Sequence, residues 1–226
     1  MTEDGRECET ALFDEHGRLT NTERATGELV RRDAAGSFEG YWDNPEADED
    51  RLRGGWFWSG DLAYRDADGV FWFAGRVGDW LRVDSENFAA GPVERILARY
   101  PAAAAVAVIG VPDPLAGDQV MAVLELPSGA GFDPAGFAEF LSGQGDLGTK
   151  WAPRFVRVTN AIPVVGHGKI DKKPLRREAW LCDDPVWWRP PRTDSYVRMT
   201  AADRAALHEQ FVSHGRIQAH PDPQQN

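Results

Sequence analysis

Cysteine is scarce in this sequence: Cys8 and Cys182 are the only two in 226 residues. Two isolated thiols form neither a disulfide framework nor the spacing of a metal site, so the cytoplasm is the default expectation. Long apolar runs are absent too. No stretch approaches the ~20 residues needed to cross a bilayer, and the opening "MTEDGRECET" is too polar and acidic for a secretory signal. Basic charge is in short supply: 25 Lys and Arg stand against 36 Asp and Glu, a net charge of −11. That balance argues against nucleic acid as a partner, because phosphates need a positive field, and against a polybasic membrane anchor. A local basic pocket for one anionic ligand stays open. The motifs HExxH, CxxC and GxSxG do not occur, so zinc-site and serine-hydrolase readings have no support. There is no internal repeat.

Tryptophan is plentiful. Nine Trp argue for packed aromatic clusters rather than disorder. Three parts follow along the chain. Residues 1–77 read as short strands and hairpins: "TALFDEHGRL" as a strand broken at His16-Gly17, "TGELVRR" as another. The clearest hairpin is "LAYRDADGVFWFAG", two aromatic strands joined by Asp66-Ala67-Asp68-Gly69, where Gly69 supplies a positive φ. These strands show one apolar face with little partner surface of their own, so the part reads as incomplete. Residues 78–180 alternate strands and helices. "PVERILARYP" places Val93, Ile96, Leu97 and Tyr100 on one helix face ahead of Pro101. "AAVAVIGVPD", "DQVMAVLELP" and "APRFVRVTNAIPV" read as three strands, and "DPAGFAEFLSGQ" and "KKPLRREAW" as helices, together a small α+β domain. In residues 181–226, "DDPVWWRPPR" reads as irregular. "TAADRAALHEQFVSHG" reads as a tail helix capped by Thr200 and Asp203 and stopped by Gly215.

Three places could carry chemistry. Asp61 in "WSGDL" caps a turn on the plainest reading; alternatively its carboxylate, acceptor-only, takes hydrogen bonds from two adjacent ribose hydroxyls. "GRVGD", Gly75 to Asp79, is either a polar connection or a site in which Arg76 presents planar donors to a phosphate or ribose oxygen, with Gly78 as a backbone pivot. "VVGHGKIDKKPL", residues 164–175, is either a solvated loop or a glycine loop that delivers the Lys169 ammonium to an anionic reaction centre. It lacks Walker spacing and the following Ser or Thr, and His167 reads as a loop residue rather than a catalyst.

Taken in order, Gly-Asp, the aromatic hairpin, Gly-Arg-x-x-Asp, a helix opening with Pro-Val-Glu, three strands and Pro-x-x-x-Gly-x-Gly-Lys-Ile resemble the C-terminal third of the AMP-forming acyl-CoA synthetases, the adenylate-forming ligases. The resemblance runs from about Gly27 to Trp180, most of the chain. "WLRVDSEN", residues 80–87, is similar to sequences of the very-long-chain and fatty-acid-transport branch, which implies a fatty acid or other lipid-like carboxylic acid as substrate. The resemblance implies an α+β fold: residues 1–77 as the β-rich end of the large adenylation domain, 78–180 as the small C-terminal domain, 181–226 as a Pro/Trp-rich linker and tail helix. It implies ATP (with Mg2+ in the complete enzyme) and coenzyme A as cofactors. By motif match Lys169 is the catalytic lysine, Asp61 holds the ribose hydroxyls, Arg76 steadies ribose or phosphate, Phe73 lines the adenine site, and Gly78 is the hinge between the two half-reactions.

Two departures stand out. Ser85 replaces the family's glycine beside the pantetheine tunnel. The family's Ser/Thr/Gly-rich phosphate loop, its Tyr-Gly-x-Thr-Glu segment and its acyl tunnel do not occur in the sequence. The expectation is a C-terminal fragment of a fatty-acyl-CoA ligase, inactive in adenylation alone, cytoplasmic or peripheral to a membrane. The alternative is a non-catalytic subunit that docks a separate N-terminal adenylation-domain chain.

Overall fold

The computed structural model describes residues 1–2, 4–15, 19–32, 39–40, 42, 48–49, 51–84 and 86–222, with Glu23 and His167 described by backbone alone. The chain forms two compact units. The first comprises Met1–Trp80 with Asn87–Ala89, the second Leu81–Glu86 with Ala90–Asn226.

The first unit is built on a short helix, α1 (Thr22–Ala25), and strands β1 (Thr26–Arg31), β2 (Leu52–Arg53), β3 (Trp56–Arg65) and β4 (Phe71–Arg76). The long β3 is its spine and pairs antiparallel with the other three. The β3–β4 hairpin forms where expected because Asp66 organises its turn. Asp66 Oδ1 accepts from the amides of Asp68 (3.0 Å) and Val70 (2.9 Å), Oδ2 accepts from Trp72 Nε1 (2.7 Å), and Gly69 takes φ +82°. The Trp72 indole first, then these amides, hold the Asp66 carboxyl below the usual carboxylate range. Over "TALFDEHGRL" the expected strand is replaced by a single bridge, Phe13 to Leu19, and the expected break at His16-Gly17 lies outside the described residues. The local backbone is taken instead by buried Asn21, whose Oδ1 accepts from Leu12 N (2.8 Å) and whose Nδ2 donates to Thr10 O (2.9 Å).

Two short strands, β5 (Trp80–Val83) and β6 (Glu86–Ala89), precede α2 (Ala90–Leu97), which buries Val93, Ile96, Leu97 and the following Tyr100 as the sequence spacing implies. The second unit then lays down β7 (Ala105–Pro112), β8 (Asp118–Glu125), α3 (Pro134–Ser142), β9 (Phe155–Thr159), the small hairpin β10 (Val164–Val165) and β11 (Lys169–Ile170), α4 (Lys172–Glu178), β12 (Val186–Trp188), β13 (Val197–Arg198) and α5 (Ala201–Ser213). The α+β reading holds, but the main sheet has five strands rather than three, in the order β13-β12-β9-β8-β7. β8 and β9 run parallel, so a crossover is required, and α3 lies within it with Asp133 capping its first amides. β7 and β8 have no exposed residue and are buried on both faces along Ala107–Ile109 and Val120–Leu124, which accounts for the apolar runs there.

"DDPVWWRPPR", expected to be irregular, carries β12. Arg157 explains the join. It is 7% exposed on β9 and pairs with Glu178 (2.8 Å) and Asp184 (2.7 Å), fixing the chain that leads into β12. The core of this unit combines Ile109, Met121, Phe155, Trp180, Leu207 and Phe211, so the tail helix α5 packs as part of the core.

Candidate functional site

Asp61 and Arg76 face each other across the β3–β4 ladder. Arg76 Nε lies 2.7 Å from Asp61 Oδ1, with the side chains 45% and 32% exposed. An ion pair so open to water contributes about 0–1 kcal/mol, too little to account for the arrangement by stability alone. The register slips by one residue between Leu62 and Ala63, so that Ala63 pairs with Phe73 while Asp61 pairs with Arg76. The bulge puts Phe73 and Arg76, three apart in sequence, opposite residues two apart on β3, on one face of the hairpin. Without it, strand alternation would send them to opposite faces. Phe73 is 69% exposed, a large ring offered to solvent beside a carboxylate and a guanidinium. Gly75 takes φ +135° at the irregularity, a region open to glycine.

Glu28 is a positioning residue that sequence reasoning missed. It is buried on β1, accepts from Gly60 N (2.6 Å), and is flanked by Arg53 (3.1 Å) and Arg51 (3.9 Å). Gly60 has φ +76° and immediately precedes Asp61. The carboxylate of Glu28 therefore fixes the backbone that aims Asp61. A glutamate after glycine in "TGELV" was the available signal, but its partner lies 32 residues away.

Gly78 is exposed within a single 3-10 turn, Val77–Asp79, that follows β4 directly. Lys169 belongs to the second unit. It opens β11, across the two-residue ladder from Val165 and after Gly168 at φ +73°. Its side chain is exposed, and among the described residues no hydrogen bond or ion pair holds the ammonium. The stem beneath is fixed. Asp171 N donates to Pro163 O (2.8 Å), Asp171 caps α4 through Lys173 N (3.0 Å), and Lys172 Nζ meets Glu94 Oε1 at 2.8 Å. The same Glu94 oxygen accepts from Val108 N (2.8 Å), which ties the lysine loop to α2 and β7. An anchored hairpin with an exposed ammonium at its head can deliver positive charge to an anion without reorganising its base.

The structure thus brings Asp61, Phe73 and Arg76 together in the first unit and presents Lys169 from the second. Ser85 lies outside the described residues. Among the described residues no group of three His, Cys, Asp or Glu is placed to hold a metal ion, and no helix is long and apolar enough to cross a membrane.

Comparison with known proteins gives these residues a context. Residues 92–169 match the family described as AMP-binding enzyme C-terminal domain. A steroid-22-oyl-CoA synthetase of Rhodococcus jostii is 51% identical over 207 residues, covering 91% of this chain and 37% of that protein. The medium/long-chain-fatty-acid–CoA ligase FadD17 of Mycobacterium marinum is 51% identical over 163 residues, covering 72% of this chain and 32% of that protein. Among solved structures, the amide bond synthetase McbA from Marinactinospora thermotolerans is 33% identical with a TM-score of 0.51, over 78% of this chain and 35% of that one. An anthranilate CoA ligase, AuaEII, in complex with anthranoyl-AMP is 28% identical with a TM-score of 0.55, over 76% of this chain and 33% of that one. The chain spans about a third of the length of the curated relatives it matches. Motif order, fold and relatives agree: the chain belongs to the adenylate-forming ligases and is homologous to the C-terminal portion of AMP-forming acyl-CoA synthetases.

Proposed function

We propose that this chain supplies the catalytic lysine, the ribose-binding carboxylate and the hinge for a two-step activation of a fatty acid or other lipid-like acid. In the first step a carboxylate oxygen of the acid bonds to the α-phosphorus of ATP and pyrophosphate leaves. In the second, the coenzyme A thiol gives up its proton, its sulfur bonds to the acyl carbon, and AMP leaves. The names of the relatives, one acting on a steroid acid and others on medium- or long-chain fatty acids, support this substrate class.

The observation that carries the reading is the Lys169 ammonium, exposed and without a partner among the described residues, above a stem fixed by Lys172 and Glu94. In the first step two anionic groups must approach each other, and a lysine held between them stabilises the charge that develops. Asp61 accepts from the ribose hydroxyls, Arg76 donates to a ribose or phosphate oxygen, and Phe73 offers its face to adenine. Gly78 is the pivot about which residues after it exchange roles between the steps, and Ser85 edges the path of the pantetheine arm. We place the reaction in the cytoplasm. ATP and coenzyme A are substrates here, and Mg2+ would arrive with ATP.

The test is complementation. The chain is mixed with the N-terminal part of the Rhodococcus jostii relative, and pyrophosphate exchange and thioester formation are followed separately. Lys169→Ala should lower the exchange rate by about 10²–10³-fold and leave the thermal midpoint of the chain unchanged, because its side chain is exposed and, among the described residues, holds no hydrogen bond or ion pair. Exchange that survives Lys169→Ala undiminished would overturn the reading.

A second reading has one observation in its favour. Phe71, Trp72 and Phe73 are 59%, 50% and 69% exposed along β4, a strand that among the described residues pairs on one side only. Such an edge suits a subunit that docks another adenylation chain without turning over itself. Stable association with the N-terminal part but no turnover would favour it.

A further inference from the structure

Residues Leu81–Glu86 follow the proposed pivot directly and belong to the second unit. Their sequence alternates: Leu81 and Val83 are buried, at 0% and 3% exposure, while Arg82 and Asp84 face outward. Burying two apolar side chains seats such a strap but does not fix its backbone. Its pairing as β5 with β6 fixes part of it, and two remote segments add to the hold. Asp118, 36 residues away at the start of β8, accepts from Arg82 N (3.1 Å). Beside it Gly117, at φ +61°, lies so close to the strap that a Cβ there would meet Arg82 O at 2.3 Å. Only glycine fits, by conformation and by space. From the other side Lys150 Nζ donates to Asp84 O (2.7 Å) and pairs with Glu86 (3.5 Å), bracketing the turn on both flanks. Asp84 itself sits at φ +46°, a left-handed conformation that Asp adopts more readily than most non-glycine residues.

We propose that Gly117, Asp118 and Lys150 clamp the strap 81–86 to the second unit, so that Asp118 and Lys150 are positioning residues for the coenzyme A step. The inference rests on the ligase reading above, because its functional half needs the turn at residues 84–86 to border the thiol's path. The physical half does not. A strap fixed at Arg82 and Asp84 cannot share the motion of the pivot, so on its N-terminal side the flexible part of the connection is confined to residues 77–80; the chain meets the first unit again at Asn87–Ala89. Asp84 and Glu86 arrive at the second half-reaction already held. Neither Asp118 nor Lys150 touches a reacting group, so adenylation should not depend on them.

The test has two arms. In the first, amide hydrogen exchange is measured on the full chain. Asp118→Ala should speed exchange at Arg82 by about tenfold or more, with Ala105–Pro112 unchanged. Lys150→Met should loosen residues 84–86 in the same way. Lys150 sits at the surface, so that variant keeps the arm decisive even if Asp118→Ala folds poorly. In the second arm the variants are assayed in the complemented enzyme. The KM for coenzyme A should rise about tenfold at unchanged pyrophosphate exchange, and Lys150→Arg should restore it. Unaltered exchange at 81–86 in both variants would remove the clamp. Loosened exchange with an unmoved KM would remove its positioning role. No turnover with the unsubstituted chain would strike the ligase reading and, with it, the functional half, while the first arm still decides the clamp.

Discussion

Glu28 and Lys169 are opposite kinds of charged residue. Glu28 is 8% exposed and every oxygen has a partner: Oε1 takes the Gly60 amide and Oε2 the Arg53 guanidinium. Glu28→Ala would leave the Gly60 amide orphaned and two arginines without their anion, at a cost of about 2–3 kcal/mol. Chemical denaturation of the chain should register that loss, and Glu28→Gln, which keeps an acceptor, should cost less. Equal midpoints for the alanine variant and the parent would show that the contact carries nothing. Only one of these two residues was legible in the sequence. The sequence marks Lys169 only through the family resemblance of the motifs around its glycine loop, and the structure adds that its side chain is exposed. The role of Glu28 depends on a partner met only after β1 and β3 have paired, and no spacing along the chain encodes that meeting.

Elements show the same divide. The β3–β4 hairpin could be read because its turn is made by residues inside the turn, Asp66 and Gly69. Its bulge could not, although the bulge is what brings Phe73 and Arg76 to one face. One extra residue leaves no trace in a strand whose positions before Arg76 are all aromatic, glycine or alanine. β12 and β13, of three and two residues, are too short to show periodicity and stand among prolines; pairing, of β12 with β9 and of β13 with β12, makes them strands. The tail helix was legible to its caps. Thr200 Oγ1 accepts from Asp203 N (3.2 Å), and Asp203 Oδ2 accepts from Thr200 N (2.8 Å). Thr200→Ala breaks the reciprocal pair and should cost about 1 kcal/mol. Because α5 contributes Leu207 and Phe211 to the core, that loss should appear in the unfolding midpoint of the whole second unit and not as local fraying. A midpoint that holds while helical signal is lost would mean that α5 melts independently.

At the scale of the molecule, the end of the chain closes on its core through aromatic contact. Trp180, fully buried, stacks on Phe155 at 5.1 Å and meets Phe211 and His220 at 6.1 Å; His220 in turn meets Phe211 at 5.1 Å and His208 at 4.7 Å. His220 Nδ1 lies 2.9 Å from Pro221 O, and Nε2 is buried with no hydrogen-bond partner among the described residues. Burial first, and the neighbouring His208, push the His220 pKa below its ordinary value, while the Pro221 carbonyl and Asp222 oppose them more weakly. In the unfolded chain the same imidazole titrates near its usual value of about 6.5. Between the two values the unfolded chain holds more protons, so stability rises with pH there: the contribution is complete above about pH 6.5 and is lost as pH falls through the folded value. The surplus of acid groups acts the other way. With 36 Asp and Glu against 25 Lys and Arg, acidification relieves repulsion across the chain and masks part of the histidine effect. The slope must therefore be read as a difference. Thermal midpoints of the parent should fall more steeply between about pH 7 and pH 5.5 than those of His220→Phe, which keeps the ring contacts and removes the titration. Parallel curves for the two proteins would assign the acid sensitivity to the carboxylates and leave His220 a packing residue alone.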